Sequence, residues 1–216
     1  MKIRHAFLII LIPIVIILLN FSILAFDDNY YKKQFEKNNI YEKIPKEQAD
    51  KEAENLINYL KQGKELQGDF FNEKEKQHLV DVRTIIKRLI GLLYLSILAA
   101  AMIITIGFIQ NKKQLGISFI AGGLLTILIL IILFLSMINF EWVFIKFHEI
   151  AFTNNLWILD PETDKLILMF PESFFYGITK DIGIRSLLTS AATTLAGLTL
   201  IFTQKIKKKH KHPFSS

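Results

Sequence analysis

The sequence contains no cysteine, which removes disulfides, thiolate nucleophiles and cysteine-based metal sites at one stroke. It also lacks HExxH, GxSxG and any phosphate-cradling glycine loop, so zincin, serine-hydrolase and P-loop chemistry have no footing here. Acids are missing from three places. The first tail (Lys2, Arg4), the stretch Gln110-Asn111-Lys112-Lys113-Gln114 and the last tail from Lys205 to His212 carry only cations, and all 20 acids fall elsewhere. Between Asn72 and Gly91 there is no glycine or proline to interrupt a helix.

What is present is apolar sequence in long runs. The chain has 216 residues and is 51% hydrophobic, and four runs, 6–26, 89–109, 115–138 and 182–202, have the composition of lipid-facing helix. Each is about 20 residues long, enough to span a hydrocarbon core of ~30 Å. The expected fold is an all-α integral membrane protein, a single domain over 1–216 with no room for a separate soluble domain. The distribution of Lys and Arg puts both termini in the cytoplasm and the loops 27–88 and 139–181 outside. The net charge of +6 is a topology signal and does not point to nucleic acid; the cationic last tail is an orientation anchor that can also meet anionic lipid. The first run is longer than the apolar region of a secretory signal and precedes no small-x-small site, so it is expected to be retained as a span, kinked at Pro13.

In the first outer loop, Ala49, Ala53, Leu56, Ile57 and Leu60 follow helical spacing after Pro45, which predicts an amphipathic helix over 45–61, lying on the bundle as a lid or as a flap over a lipid-facing site. Gly63 to Phe71 breaks it. Asn72-Glu73-Lys74-Glu75 then has capping-box spacing, and one continuous helix is expected from Glu73 through the second span.

The second outer loop holds the stretch around which the rest is organised, Phe147 to Phe175. It follows a long apolar run yet carries a histidine, five acids, two asparagines and two prolines, so it belongs at the membrane edge. Asp160-Pro161-Glu162-Thr163-Asp164 between the apolar runs Leu156 to Leu159 and Leu166 to Phe170 predicts a short β-hairpin in the extracytoplasmic cap. Phe140, Trp142, Phe144, Phe147, Phe152, Trp157, Phe170, Phe174, Phe175 and Tyr176 are expected to form an outer aromatic belt.

Topology sorts the five histidines. His5, His210 and His212 fall on the inner tails, where they are expected to be solvated. His78 and His148 fall outside, close to the membrane. His78 lies 34 residues before Lys112 and His148 lies 35 after Lys113. At a rise of about 1.5 Å per residue, two straight antiparallel helices bring them to nearly equal height, provided the third helix continues past Asn139. Asp81, three residues after His78, can orient an imidazole or share a metal. Two imidazoles and one carboxylate on two helices fit acid/base catalysis or a weak metal site. Without a protein nucleophile, imidazoles suit a reaction whose nucleophile arrives with the substrate, such as an O-to-N acyl shift within one lipid. Arg83 sits near the outer interface, and Arg185 lies about one turn into the fourth span; each can snorkel or meet a headgroup.

The strings Phe71-Asn72-Glu73-Lys74-Glu75 and His78-Leu79-Val80-Asp81-Val82-Arg83 stand out. So does Phe147-His148 through Phe152, Asn154, Trp157 and Leu159-Asp160-Pro161, followed by Asp164, Leu166-Ile167, Pro171-Glu172 and Phe174-Phe175. Together they resemble the lipoprotein intramolecular transacylase (Lit) family of bacterial integral membrane proteins, over nearly the whole chain. The resemblance implies an acyltransferase of the bacterial cell membrane with its site on the extracytoplasmic side. It implies transfer of the sn-2 acyl chain of a diacylglyceryl-cysteine lipoprotein to the α-amine, giving the lyso-form. His78 and His148 match the family's two important histidines. On this reading they are acid and base in unassigned order, Asp81, Arg83, Asn154, Trp157 and Arg185 support them or bind substrate, and neither metal nor cofactor is required. The partners implied are a diacylated lipoprotein and membrane lipid. A non-catalytic membrane scaffold and a metal-dependent lipid hydrolase are the competing classes.

Overall fold

The computed structural model describes residues 3–211, with side chains described through Gln204. Lys2, the cationic side chains from Lys205 onward, His210 and His212 lie outside the described residues. The elements are helices α1 (Ile3–Ala25), α2 (Asp28–Lys37), α3 (Ile40–Lys43), α4 (Lys46–Gln62), α5 (Glu73–Gln110) and α6 (Lys112–Ser136). A 3₁₀ turn (Met137–Asn139) follows, then α7 (Phe140–Ala151), α8 (Lys165–Met169) and α9 (Glu172–Lys211). Four of the helical segments are long and apolar enough to cross a membrane: Ile3–Ala25, Glu73–Gln110, Lys112–Ala151 and Glu172–Gln204. The chain divides into two compact units, one drawn from 1–20, 91–133 and 183–216, the other from 21–90 and 134–182.

The first unit is apolar helix packed on apolar helix. Leu8, Leu11, Ile12 and Ile16 of α1 bury against Ala100 and Leu115. Glycines allow close approach: a Cβ on Gly116 of α6 would lie 2.7 Å from the carbonyl oxygen of Gly197 on α9, and a Cβ on Gly197 would lie 2.6 Å from that of Gly116. Small residues thus let two backbones meet where lipid supplies no hydrophobic drive. Arg4 donates from Nη2 to Gln110 Oε1 at 2.6 Å, joining the first tail to the 110–114 turn. His5, expected in solvent, is 1% exposed. Its Nδ1 meets Ser118 Oγ at 3.3 Å, a polar pairing that permits burial.

The second unit holds the loops 27–88 and 139–181. The α4 stripe behaves as its spacing predicts: Ala49, Ala53, Leu56, Ile57 and Leu60 are all buried. Helices α2 and α3 lie in sequence that reads as charged and featureless, yet Tyr30, Tyr31, Gln34 and Phe35 form a buried stripe on α2. Asp27 caps α2, accepting from Tyr30 N–H. Tyr31, Phe35, Phe170 and Phe174 make an aromatic core, with Phe35 and Phe170 rings 5.6 Å apart. Tyr30 Oη donates to Asp181 Oδ2 at 2.8 Å, tying α2 to the start of α9. Gln34 packs so closely on Gly177 that a Cβ there would sit 2.6 Å from its Oε1.

The predicted hairpin is absent: no strand occurs among the described residues. Leu156 to Leu159 is irregular, and the second apolar run forms α8. The acidic turn closes on itself instead, with Asp164 N–H bonding Asp160 O at 2.8 Å and Glu162 N–H bonding Asp160 Oδ1 at 2.9 Å. The capping box does form, since Glu75 N–H donates to Asn72 Oδ1 and Asn72 N–H donates to Glu75 Oε2. The other oxygen of Glu75 accepts Leu166 N–H at 2.5 Å, supporting the first turn of α8 as helix by supplying a carboxylate to one of its orphan donors.

Candidate active site

His78 stands in the second turn of α5 and His148 in the last turn of α7, both in the second unit and beyond the apolar runs 89–109 and 115–138. The 3₁₀ turn Met137–Asn139 interrupts the third long helix, yet α7 resumes at once, capped by Asn139 Oδ1 accepting from Trp142 N–H. The two rings meet with centroids 6.2 Å apart and planes inclined by 32°. They are 6% and 9% exposed, so solvent is nearly excluded from both.

The surroundings are aromatic. Phe144, Trp157, Phe147 and Phe152 lie 4.3, 5.0, 5.4 and 5.6 Å from the His148 ring, and Phe152 lies 4.9 Å from His78. The expected belt therefore divides: Phe170 and Phe174 are core, Trp142 and Tyr176 are exposed, and a third group encloses the histidines.

The two imidazoles differ in their bonds. His148 Nδ1 is 2.7 Å from the carbonyl oxygen of Phe144. A carbonyl only accepts, so Nδ1 carries the proton and the neutral ring presents a lone pair at Nε2. His78 Nδ1 is buried with no hydrogen-bond partner. Burial holds the His78 pKa down at about 4, helped by His148 and opposed by Asp81; burial also lowers that of His148, against the Phe144 carbonyl, which raises it. Both rings are neutral at neutral pH, the state a base requires.

Of the supporting residues, Trp157 lies against the His148 ring, and Asn154 meets Asp81. Asn154 donates from Nδ2 to Asp81 Oδ2 at 2.8 Å, and its Oδ1 accepts Leu156 N–H at 3.0 Å. Asp81 thus grips the loop after α7, and it acts on His78 through charge, with no hydrogen bond to either ring. Arg83 turns elsewhere: its guanidinium lies over the Tyr59 ring at 4.6 Å, bracing α5 against α4. Arg185 is exposed on α9 within the first unit. Among the described residues no group of three or more His, Asp or Glu converges as metal ligands. A polar depression of about 580 Å³ in the second unit is bordered by Lys43, Lys51, Glu52, Asp69 and Lys165, none of them a predicted site residue. Sequence reasoning missed the backbone carbonyl of Phe144; its position four residues before His148 within a helix is the one signal that could have found it.

Comparison with known proteins follows the same lines. The family model for the lipoprotein intramolecular transacylase Lit matches residues 6–175. The structure is similar to the in meso structure of the membrane integral lipoprotein intramolecular transacylase Lit from Bacillus cereus, with a TM-score of 0.86 and 25% identity over 95% of this chain and 97% of that one. It is similar also to two structures of that protein in which one histidine is replaced, by arginine or by alanine. Both have a TM-score of 0.81 and 25% identity over 95% of this chain, covering 94% and 95% of theirs. A comparison with curated proteins finds no match. Matched by the family model over most of its length and by the fold throughout, the chain belongs to the lipoprotein intramolecular transacylase Lit family.

Proposed function

We propose that the chain is a multi-pass membrane acyltransferase that moves the sn-2 acyl chain of a diacylglyceryl-cysteine lipoprotein onto that cysteine's α-amine, with His78 and His148 as its acid/base pair. The observation that carries this is the meeting of two neutral, nearly buried imidazoles from sequence-distant helices. Family membership supplies the reaction class and the lipoprotein substrate. A substituted histidine in two of the Bacillus cereus structures agrees with the weight placed on imidazole.

The reaction needs no net proton. The amine attacks the sn-2 ester carbonyl, forming the C–N bond; the nitrogen then loses a proton, the C–O bond breaks and the glycerol oxygen takes a proton up. His148 Nε2 is the base, because its other nitrogen is already committed to Phe144. His78 serves the departing oxygen and receives its proton from His148. Ring centroids 6.2 Å apart leave room for one substrate atom to hydrogen-bond toward both rings, each bond being about 2.7–3.2 Å. Intramolecular attack supplies much of the rate, since oriented neighbours reach effective molarities of ~10⁵ to 10⁸ M. The aromatic enclosure keeps water from taking the acyl group.

Both termini are assigned to the cytoplasm and the histidines to the outer face of the bacterial cell membrane, from the one-sided distribution of Lys and Arg. Arg4 bonded to Gln110 supports a shared inner side for the first tail and the 110–114 turn. No cofactor or metal enters the scheme, and Arg185 is the candidate for meeting a headgroup.

The test is mass spectrometry of lipoprotein N-terminal peptides from cells carrying the protein or its variants. Lyso-form peptide should appear with the unaltered protein and disappear with His78→Ala or His148→Ala. Persistence of the lyso-form in either variant would remove that histidine from the mechanism.

A further inference from the structure

Asp81, Asn154 and Trp157 lie on two different segments, and their contacts form a chain. Asp81 is one turn beyond His78 on α5. Its Oδ2 accepts from Asn154 Nδ2 at 2.8 Å, while Asn154 Oδ1 accepts Leu156 N–H at 3.0 Å. The second bond is an Asx-type closure, in which the side chain turns the backbone that follows it. Next in that turn comes Trp157, whose indole lies 5.0 Å from the His148 ring at an inclination of 35°. No regular secondary structure spans Phe152 to Asp164, so the placement of Trp157 rests on these bonds together with those of Ile158, whose N–H donates to Asn155 O at 3.2 Å and whose carbonyl accepts from Lys74 Nζ at 2.5 Å.

We propose that Asn154 and Asp81 form a latch that positions Trp157 against His148, and thereby fixes the base at its working distance from His78. The proposal rests on the reading that these histidines catalyse acyl transfer. One end of the latch is rooted on the helix that carries His78, and the other ends on the ring of His148. Several constraints then hold that ring: the Phe144 carbonyl sets its tautomer, the Phe144, Phe147 and Phe152 rings enclose it, and the Trp157 face limits its rotation. An aromatic face also stabilises the imidazolium that forms when His148 takes the proton. Asn154, Asp81 and Trp157 are positioning residues in this scheme.

The bond has a reversible chemistry that allows a swap. Asn154→Asp puts two carboxylates face to face and removes the donor. Adding Asp81→Asn returns a donor on α5 opposite an acceptor on the loop, and the carboxylate introduced at position 154 still accepts Leu156 N–H. The experiment uses full-length protein in lipid nanodiscs with Trp142→Phe as background, leaving Trp157 as the sole tryptophan. Trp142 is 58% exposed, and its replacement should leave turnover of a diacylated lipopeptide intact. Asn154→Asp should lower kcat at least tenfold with KM changed less than twofold, and the double variant should recover most of kcat.

The second readout does not involve turnover. Protonated imidazole quenches indole emission, so Trp157 fluorescence should fall as pH drops through the titration of His148. The titratable group facing that ring is His78 from α5, on which Asp81 acts in turn; Lys146 and Glu149, its sequence neighbours on α7, pair with each other at 2.6 Å. Asn154→Asp should abolish the acid quenching and the double variant should restore it. Unchanged kcat and unchanged quenching in Asn154→Asp, or a double variant as impaired as the single, would overturn the latch. A background protein that makes no lyso-product would overturn the functional reading alone, because the quenching and its rescue still decide the latch.

Discussion

The backbone N–H of Leu166 bonds Oε1 of Glu75 at 2.5 Å across 91 residues of chain. Glu75 is fully buried and its second oxygen already accepts Asn72 N–H, so one carboxylate begins α5 and α8 together. Glu75→Ala should leave both N–H groups without a partner, at a cost of roughly 1–3 kcal/mol for each. Glu75→Gln should be milder, since the amide keeps one acceptor. The check is the thermal unfolding midpoint of purified protein followed by intrinsic fluorescence. A Glu75→Ala midpoint equal to that of the parent would show that the carboxylate holds neither helix.

That bond explains why the hairpin was the wrong expectation. Asp160 to Asp164 has turn composition, and so do many sequences just before a helix, where Asp also caps. The apolar run Leu166 to Phe170 is too short for its period to separate strand from helix. The decision came from Glu75, which no local window contains. The opposite case is the histidine pair. Its convergence followed from counting residues along two helices that share a short turn, and the 3₁₀ break at Met137–Asn139 did not undo it. Asp81 was legible as a charge beside His78 but not in its partner. Its spacing from His78 suggested a bond along its own helix, and the amide that took it comes from 73 residues away. The α2 stripe was missed because its four buried positions are interleaved with charged and amide side chains.

A second prediction concerns protonation. The His78 pKa lies near 4, against an ordinary value of 6.5, chiefly through burial. Between those values the unfolded chain binds a proton that the folded chain refuses, so stability rises with pH. The contribution is present above the ordinary imidazole range and is lost as pH falls toward 4. The unfolding midpoint should therefore drop on acidification from pH 7 to pH 4, with part of the drop missing in His78→Gln. Imidazole resonances of ¹⁵N-histidine protein should show one ring titrating near pH 4. If the resonances of His78 and His148, assigned by single substitution, both titrated at or above 6.5, neither ring would be desolvated as the structure has it.

Gly63 ends α4 with φ of 77°, in the left-handed region where a side chain costs about 1–2 kcal/mol. It also lies directly beside the Arg83 guanidinium, which covers Tyr59. Gly63→Ala should thus cost the backbone term and dislodge Arg83 as well, whereas Gly68→Ala, also at positive φ but with open space around it, should cost the backbone term alone. Comparing the two unfolding midpoints isolates the bracing role of Arg83. Equal losses would mean that Arg83 carries no weight there.

The last prediction tests the packing of α6 on α9. Gly116 and Gly197 each place a bare Cα against the other's carbonyl oxygen, where a Cβ would intrude to 2.7 and 2.6 Å. The obstacle is backbone on both sides, so no rotamer change relieves it and the helices themselves must separate. Overpacking of this kind costs typically about 1–3 kcal/mol, and in lipid the loss is of van der Waals contact that no hydrophobic term replaces. Gly197→Ala and Gly116→Ala should each lower the unfolding midpoint. Because both substitutions push the same pair of helices apart, the second should cost less than the first, giving a double variant less destabilised than the sum. Gly91→Ala, on α5 with open space around its Cα, is the control and should be neutral or stabilising, as expected for a helix-interior glycine. Full additivity of the two α6/α9 substitutions would mean that they act at separate contacts, and the close approach of these helices would then have to be abandoned.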